Sequence, residues 1–146
     1  MFMSGKKNKA EPVISKNDKI RHILARLAVA QVLIIFGIWE IVQPLYWNSF
    51  VPSFVSGFIN INLFVQLHGI FILILGIAIL IGAYLRISAA LAALTTLAVI
   101  VFLLVSSGFS DIIVRDIVIV LVAASLVFDD TRYLRATKTW YRDLTN

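Results

Sequence analysis

The sequence predicts an all-α integral membrane protein, a four-helix bundle with an outer interfacial connector and a C-terminal amphipathic surface helix. Apolar residues, counted as Ala, Val, Ile, Leu, Met, Phe, Trp, Tyr and Cys, make up 60% of the 146 residues, and the mean hydropathy is +0.95. Charged residues make up only 14%, against about 25% in soluble proteins. Four apolar stretches each approach the roughly 20 residues that a helix needs to cross a bilayer.

The composition also excludes several classes of protein. A soluble globular protein of 146 residues could not bury this much apolar surface, so an ordinary soluble enzyme is excluded. A disordered chain is excluded as well, because disordered chains contain few apolar residues. The absence of cysteine excludes disulfides, thiolate zinc sites and iron–sulfur ligation within the chain. The net charge of +5 comes from basic ends around an apolar middle, which is typical of membrane topology. No nucleic-acid partner is therefore expected.

The four predicted spans are approximately residues 23–42, 63–84, 87–105 and 112–128. The fourth lies at the short end of the range of about 17–25 residues found for membrane helices. Small residues in the second and third spans allow close helix contact in lipid, and Gly37, Gly69 and Gly76 add further contact points. The short turn at Arg86 predicts that the second and third spans form an antiparallel hairpin.

The basic residues predict the orientation of the spans. Eleven of the 13 Lys and Arg residues lie in or beside the two terminal segments, and residues 43–62 and 106–111 contain none. Because basic segments stay on the cytoplasmic side, both termini are expected in the cytoplasm of a prokaryote, with the chain in its cytoplasmic membrane. The predicted topology and surface anchors are Arg26, Arg86, Arg132, Arg135, Lys138, Arg142, Trp47 and Trp140.

The chain divides into three predicted parts. Residues 1–20 form a basic cytoplasmic tail that is expected to be disordered by itself, and residues 21–130 form the transmembrane domain. In residues 131–146, apolar and basic side chains recur at helical spacing on separate faces. This pattern predicts an amphipathic helix that lies on the anionic cytoplasmic leaflet. Anchoring is its favoured role, and docking of a soluble partner is the alternative.

The connector, residues 43–62, is too apolar for a free loop and too interrupted by Pro and Gly to span the membrane. It is predicted to fold over the outer mouth of the bundle. An aromatic belt at the depth of the lipid headgroups explains Trp47 and its neighbours. A lid over a binding site is the alternative interpretation.

Ionisable residues in the outer half of three predicted spans are the candidates for a site. Glu40 ends the first span, His68 lies near the start of the second, and Arg115 and Asp116 lie near the start of the fourth. A charge in the middle of a bilayer costs at least about 2.5–3.5 kcal/mol, so each of these groups needs a partner.

The helical spacing suggests which of these groups form pairs. Adjacent helical residues point about 100° apart, so Arg115 and Asp116 are not expected to bond to each other. Asp111 is the expected partner of Arg115 unless it caps the helix. His68 is the expected partner of Asp116, and Glu40 would share either Arg115 or His68.

Two interpretations of this polar cluster stay open. One is a buried polar network that fixes the helix register. The other is a site for protons or for a quinone headgroup, because a histidine beside a carboxylate can hold a proton near neutral pH and donate it to a quinone oxygen in a hydrogen bond. A metal site is not expected, since the two histidines are predicted to lie on opposite sides of the membrane.

Three segments resemble the DoxX-like family of small four-helix membrane proteins, over roughly residues 25–132. They are RLAVAQVLIIFGIWEIVQPLYW, LGIAILIGAYLRISAAL and VRDIVIVLVAASLVFDDTRYL. Gly37 and Glu40 match a glycine and a polar residue near the end of the family's first span, and Gly82, Arg86 and Ala89 match its G-x-x-x-R-x-x-A turn.

The sequence departs from the family's pattern at one position in the second span. An acidic residue often stands early in the family's second span, where this chain has Ile72, with His68 one turn earlier. Family members related to the membrane subunit of thiosulfate:quinone oxidoreductase pass electrons from sulfur compounds to quinone. Other members are similar to partners in membrane oxidoreductase assemblies.

Three functions follow, in order of preference. The first is an accessory or structural subunit of a larger membrane complex, with a redox complex as one candidate. The second is a quinone-linked oxidoreductase subunit with its site at the polar cluster, and the third is a small proton-coupled carrier.

No self-sufficient catalytic set is visible, so the sequence does not decide whether the chain is an enzyme. Membrane lipid and other membrane subunits are the expected partners, and a quinone is the candidate ligand, with no covalently bound cofactor.

Overall fold

The computed structural model describes residues 16–128, and within that range the secondary structure is entirely helical. The five α-helices are α1 (Lys16–Val42), α2 (Pro44–Trp47), α3 (Ile61–Ile81), α4 (Leu85–Ser107) and α5 (Asp111–Phe128). Two 3₁₀ turns, Asn48–Phe50 and Ser53–Gly57, follow α2 in the connector. The prediction of an all-helical chain is confirmed for this part of the sequence.

Three of these helices, α1, α3 and α4, are long and apolar enough to cross a membrane. Helix α5 has 18 residues but carries Asp111, Arg115 and Asp116, and it is not among the three. Length and composition therefore support a membrane protein.

The four long helices lie close to the predicted spans. Helices α3, α4 and α5 begin and end within three residues of their predicted bounds. Helix α1 begins earlier than predicted, so residues 16–20, which the sequence analysis placed in the tail, are helical. The predicted amphipathic helix at 131–146, with Trp140 and its basic anchors, lies outside the described residues, as do residues 1–15 and 129–130.

The long helices form two closely packed pairs. Helix α1 packs most extensively against α3, and α4 against α5, while α3 and α4 contact each other far less despite the short turn between them. One core cluster, which includes Leu33, Ile79, Ala89 and Ala123, joins all four long helices. Towards the connector, a smaller cluster of Ile100, Leu103 and Ile113 joins α4 to α5, and Phe50 of the connector packs against it. The two pairs are therefore less tightly joined at the connector end.

Helices α1 and α3 meet through their backbones. A Cβ atom added to Gly37 would lie 2.7 Å from the carbonyl oxygen of Gly69, and one added to Gly69 would lie 2.9 Å from that of Gly37. Farther along, a Cβ on Gly76 would lie 3.1 Å from the carbonyl oxygen of Ala30. Small residues allow helices in lipid to approach this closely, so the prediction that these three glycines are contact points is confirmed.

The end of α3 is closed by a glycine and by an arginine from another helix. Gly82 has a φ of 77°, which a glycine adopts without strain, and its N–H donates to Ile79 O. Arg26 of α1 donates from Nε to Ile79 O at 3.1 Å and from Nη2 to Leu80 O at 2.8 Å. The last carbonyl groups of a helix lack partners within the helix and attract cations. Arg26, predicted as a surface anchor, therefore also ties α1 to the end of α3.

We expect the Arg26→Met variant to be less stable than the wild type by about 1.5–3 kcal/mol, the range for hydrogen bonds made by a charged group. Circular dichroism during unfolding by sodium dodecyl sulfate measures this difference. The control is Arg21→Met in the same helix, because the Arg21 side chain is 81% exposed and approaches Asp18 only to 3.9 Å. The control should change stability by less than about 0.5 kcal/mol. Equal losses in both variants would contradict a specific role for Arg26.

Candidate functional site

A cavity of about 480 Å³ lies between the helix pairs at the connector end of the bundle. This volume is within the range of roughly 300–1,000 Å³ that is typical of small-molecule pockets. All four long helices and the connector contribute to its wall, which is mostly apolar. The larger apolar lining residues include Leu33, Phe36, Phe50, Phe64, Ile72, Phe102 and Ile119.

The structure brings four of the five residues of the predicted polar cluster to this cavity. Glu40, His68, Arg115 and Asp116 all belong to its wall. The fifth, Asp111, is exposed as the first residue of α5 and lies outside the described wall. Three separate helices therefore direct ionisable groups towards one space.

Glu40 and His68 form the shortest polar contact in the wall. The Nδ1 atom of His68 lies 2.7 Å from Oε2 of Glu40, and Glu40 is buried, with only 8% of its surface exposed. Of the alternatives for Glu40, the structure selects His68, so the prediction that His68 pairs with Asp116 is wrong. The Nε2 atom of His68 is buried and has no hydrogen-bond partner among the described residues.

The close approach of α1 and α3 brings this pair together. His68 directly precedes Gly69, and a Cβ atom on Gly69 would lie 2.8 Å from the Cβ atom of Glu40. Glu40 lies one turn after Gly37, the other glycine of the crossing. The missing side chains at the crossing therefore allow the carboxylate and the imidazole to reach hydrogen-bonding distance.

Arg115 and Asp116 bond to each other, which corrects the prediction from their spacing. The Nε and Nη2 atoms of Arg115 donate to Oδ1 of Asp116 at 2.9 and 2.8 Å. The separation of about 100° describes where two neighbouring side chains leave the helix, but the long arginine side chain can bend back to its neighbour's carboxylate. Neither Asp111 nor Glu40 is therefore the partner of Arg115.

Arg115 also connects the two helix pairs. Its guanidinium carbon lies 4.1 Å from the centroid of the Phe36 ring in α1, a distance at which a cation is attracted to the face of an aromatic ring. Helix α5 is thereby linked to α1 beside the cavity. Phe36 was not among the predicted site residues, although it lies four residues before Glu40 and so shares its helix face.

The connector closes one side of the cavity through Trp47, Phe50, Val51 and Pro52. Trp47, predicted as a surface anchor, packs against Phe36 with ring centroids 5.6 Å apart and against Phe50 at 5.8 Å. Its Nε1 atom is buried and has no hydrogen-bond partner in the described part of the chain. The short helix α2, which begins at Pro44, contacts both α1 and α3. Trp47 is therefore a wall residue, and this part of the connector lines the cavity.

The chemistry available in the cavity is that of hydrogen bonding within an apolar space. The two buried nitrogens without partners, on His68 and Trp47, belong to wall residues. Within residues 16–128, no three His, Asp or Glu side chains lie together as the ligands of a metal ion would. The arrangement suits a small molecule that combines an apolar body with a polar oxygen.

Comparison of the chain with models of protein families, with curated proteins and with solved structures finds no match. The resemblance to the DoxX-like family is not tested by these comparisons and stays a prediction.

We expect Gly69→Ala to separate α1 from α3, because the new Cβ atom would meet Gly37 O and the Glu40 Cβ atom. The loss of stability should be about 1–3 kcal/mol, as for other overpacked sites, and thermal unfolding in detergent, followed by fluorescence, measures it. Gly57→Ala is the control, since nothing lies within 4 Å of a Cβ atom added there. If both variants unfold at the wild-type temperature, the close crossing is wrong.

Proposed function

We propose that this chain is a small four-span membrane protein that binds the ring of a lipid-soluble quinone in the cavity beside Glu40 and His68. The observation that supports the proposal is a largely apolar cavity of about 480 Å³ with His68 in its wall, because the Nε2 atom of His68 is buried and bonds to no described residue. Leaving a buried polar atom without a partner costs about 1–3 kcal/mol. A ligand oxygen that bonds to Nε2 removes this cost, and a flat quinone ring suits the aromatic wall.

The proposal combines two of the functions that the sequence leaves open. A quinone changes oxidation state by exchanging electrons with another redox centre. The chain would therefore work beside a redox protein, as a subunit of a membrane complex. The resemblance to the DoxX-like family points in the same direction and is a part of this proposal.

A fourth crossing by α5 is also part of the proposal. Eighteen residues of α-helix extend about 27 Å, close to the roughly 30 Å of hydrocarbon in a bilayer. The charged groups of α5 are compatible with a crossing because Arg115 and Asp116 bond to each other and Asp111 stands at the exposed end. Four crossings would place both termini on the cytoplasmic side.

Cysteine labelling distinguishes four crossings from three, and the chain has no native cysteine to interfere. In intact cells, an impermeant maleimide should label Ser49→Cys but neither Ser4→Cys nor Thr145→Cys. Permeabilised cells provide the control, in which all three variants should react. If only α1, α3 and α4 crossed the membrane, Ser4 and Thr145 would lie on opposite sides, and one of them would be labelled in intact cells.

Quenching of tryptophan fluorescence by decylubiquinone tests the proposed binding in detergent, because Trp47 belongs to the cavity wall. We expect saturable quenching that Val99→Phe weakens by about tenfold or more in Kd, a difference of roughly 1.4 kcal/mol, since Val99 lines the cavity. Val101→Phe is the matched control, because Val101 lies in the same helix with 50% of its surface exposed. Quenching that does not saturate, or equal affinities in both variants, would contradict binding in this cavity.

A further inference from the structure

Gln31 is a polar residue in the middle of the apolar part of α1. The predicted span 23–42 begins eight residues before it and ends eleven residues after it. At a rise of about 1.5 Å per residue, at least about 12 Å of helix separates Gln31 from either end of the span. An amide at this depth in lipid has no water to bond to, and leaving it without a partner is strongly unfavourable.

The side chain of Gln31 faces away from the bundle. It is exposed, whereas Leu33, which points about 200° away around the helix, is buried in the core with 5% of its surface exposed. The amide of Gln31 forms no hydrogen bond to any residue in the range 16–128. A partner for this amide therefore has to come from outside the described part of the chain.

Other polar side chains on the long helices do find partners within the chain. The amide nitrogen of Gln66 in α3 donates to Ile41 O of α1 at 3.3 Å. The hydroxyl of Ser125, which is exposed on α5, donates to Val122 O of its own helix at 2.7 Å. Gln31 differs from both, because it is exposed and its amide is free within the described residues.

The residues around Gln31 form an exposed stripe along α1, which we call the α1 seam. Its members follow one another at alternating intervals of four and three residues, and all are exposed: Leu24, Ala28, Gln31, Ile35, Ile38 and Val42. This spacing is the heptad pattern of left-handed helix pairs, which is also the common packing of membrane helices. A single polar residue within such an apolar seam fixes the register and the number of associating helices.

A glutamine amide carries both donor hydrogens and an acceptor oxygen, so two copies of Gln31 are complementary to each other. Around a two-fold axis along the membrane normal, two α1 helices run parallel and equivalent residues meet at the same depth. We infer that two copies of this chain form a symmetric dimer along the α1 seam, in which the Gln31 amides bond to each other. This inference does not rest on quinone binding, because the cavity lies on the other side of α1.

Cysteine crosslinking tests where the two copies meet, and the chain has no native cysteine. In phosphatidylcholine vesicles at a high ratio of lipid to protein, Ile35→Cys in the seam should form a dimer on oxidation with copper phenanthroline. A disulfide requires Cα atoms within about 7 Å of each other.

Ile74→Cys in α3 is the matched control for this crosslinking. Ile35 and Ile74 are equally exposed, at 59%. They also lie at a similar level, since Ile74 is two residues before Gly76, where an added Cβ atom would meet Ile34. The control should stay monomeric, and crosslinking that is no stronger at Ile35 than at Ile74 would overturn the inference.

Energy transfer between copies labelled at Ser4→Cys, measured as the ratio of lipid to protein rises, gives the Kd of the dimer. Gln31→Leu should weaken the dimer by about tenfold or more, because the bonds between the amides are lost. Gln31→Asn keeps an amide and should retain most of the affinity. Ser125→Ala is the control and should dimerise as the wild type does, because this hydroxyl already bonds within its own helix.

Two results of the energy-transfer experiment would overturn the inference. A wild-type protein that stays monomeric at the highest protein density would mean that a different membrane protein, and not a second copy, is the partner of Gln31. A Gln31→Leu dimer as tight as that of the wild type would mean that association does not depend on the amide. The crosslinking of Ile35→Cys decides where the copies meet even if a Gln31 variant fails to fold.

Discussion

The backbone contact between α1 and α3 at Gly37 and Gly69 is the constraint on which the candidate site depends. In lipid, apolar side chains gain little by leaving one apolar environment for another, so close packing and hydrogen bonds must hold helices together. The glycine crossing supplies the close packing, and the contact of 2.7 Å between Glu40 and His68 beside it supplies the hydrogen bond. A larger residue at either glycine would weaken both together.

The uneven packing of the bundle explains why the cavity lies at the connector end. Away from the connector, one apolar cluster joins all four long helices, and Arg26 adds a polar link between α1 and the end of α3. Near the connector, the core cluster joins α4 to α5, with Phe50 of the connector packed against it. The contact between Arg115 and Phe36 and the folded connector bridge the remaining space without filling it. The tightly packed end away from the connector holds the four helices together. The connector end is packed loosely enough to leave a cavity.

The helices and the grouping of polar residues could be predicted from the sequence, whereas their pairing could not. Apolar runs of membrane length predicted the four long helices, and the positions of Glu40, His68, Arg115 and Asp116 predicted that they share one level. The pairing of Arg115 with Asp116 depends on how a long side chain bends, which helical spacing does not describe. The place of Trp47 in the cavity wall depends on a turn in the connector and on its contact with Phe36 of α1. Likewise, the short turn between α3 and α4 predicted close neighbours, yet the glycines of α1 and α3 make the tighter contact.

Nitrogen-15 NMR of the histidine side chains tests most directly whether His68 holds Glu40 through Nδ1 and leaves Nε2 for a ligand. The chain has two histidines, so a His22→Gln variant assigns the signals of His68. In the neutral imidazole, Nδ1 should carry the proton and Nε2 should be bare, and decylubiquinol should shift the Nε2 signal much more than that of Nδ1. A proton on Nε2 with a bare Nδ1, or an Nε2 signal that does not respond to the quinol, would contradict this arrangement.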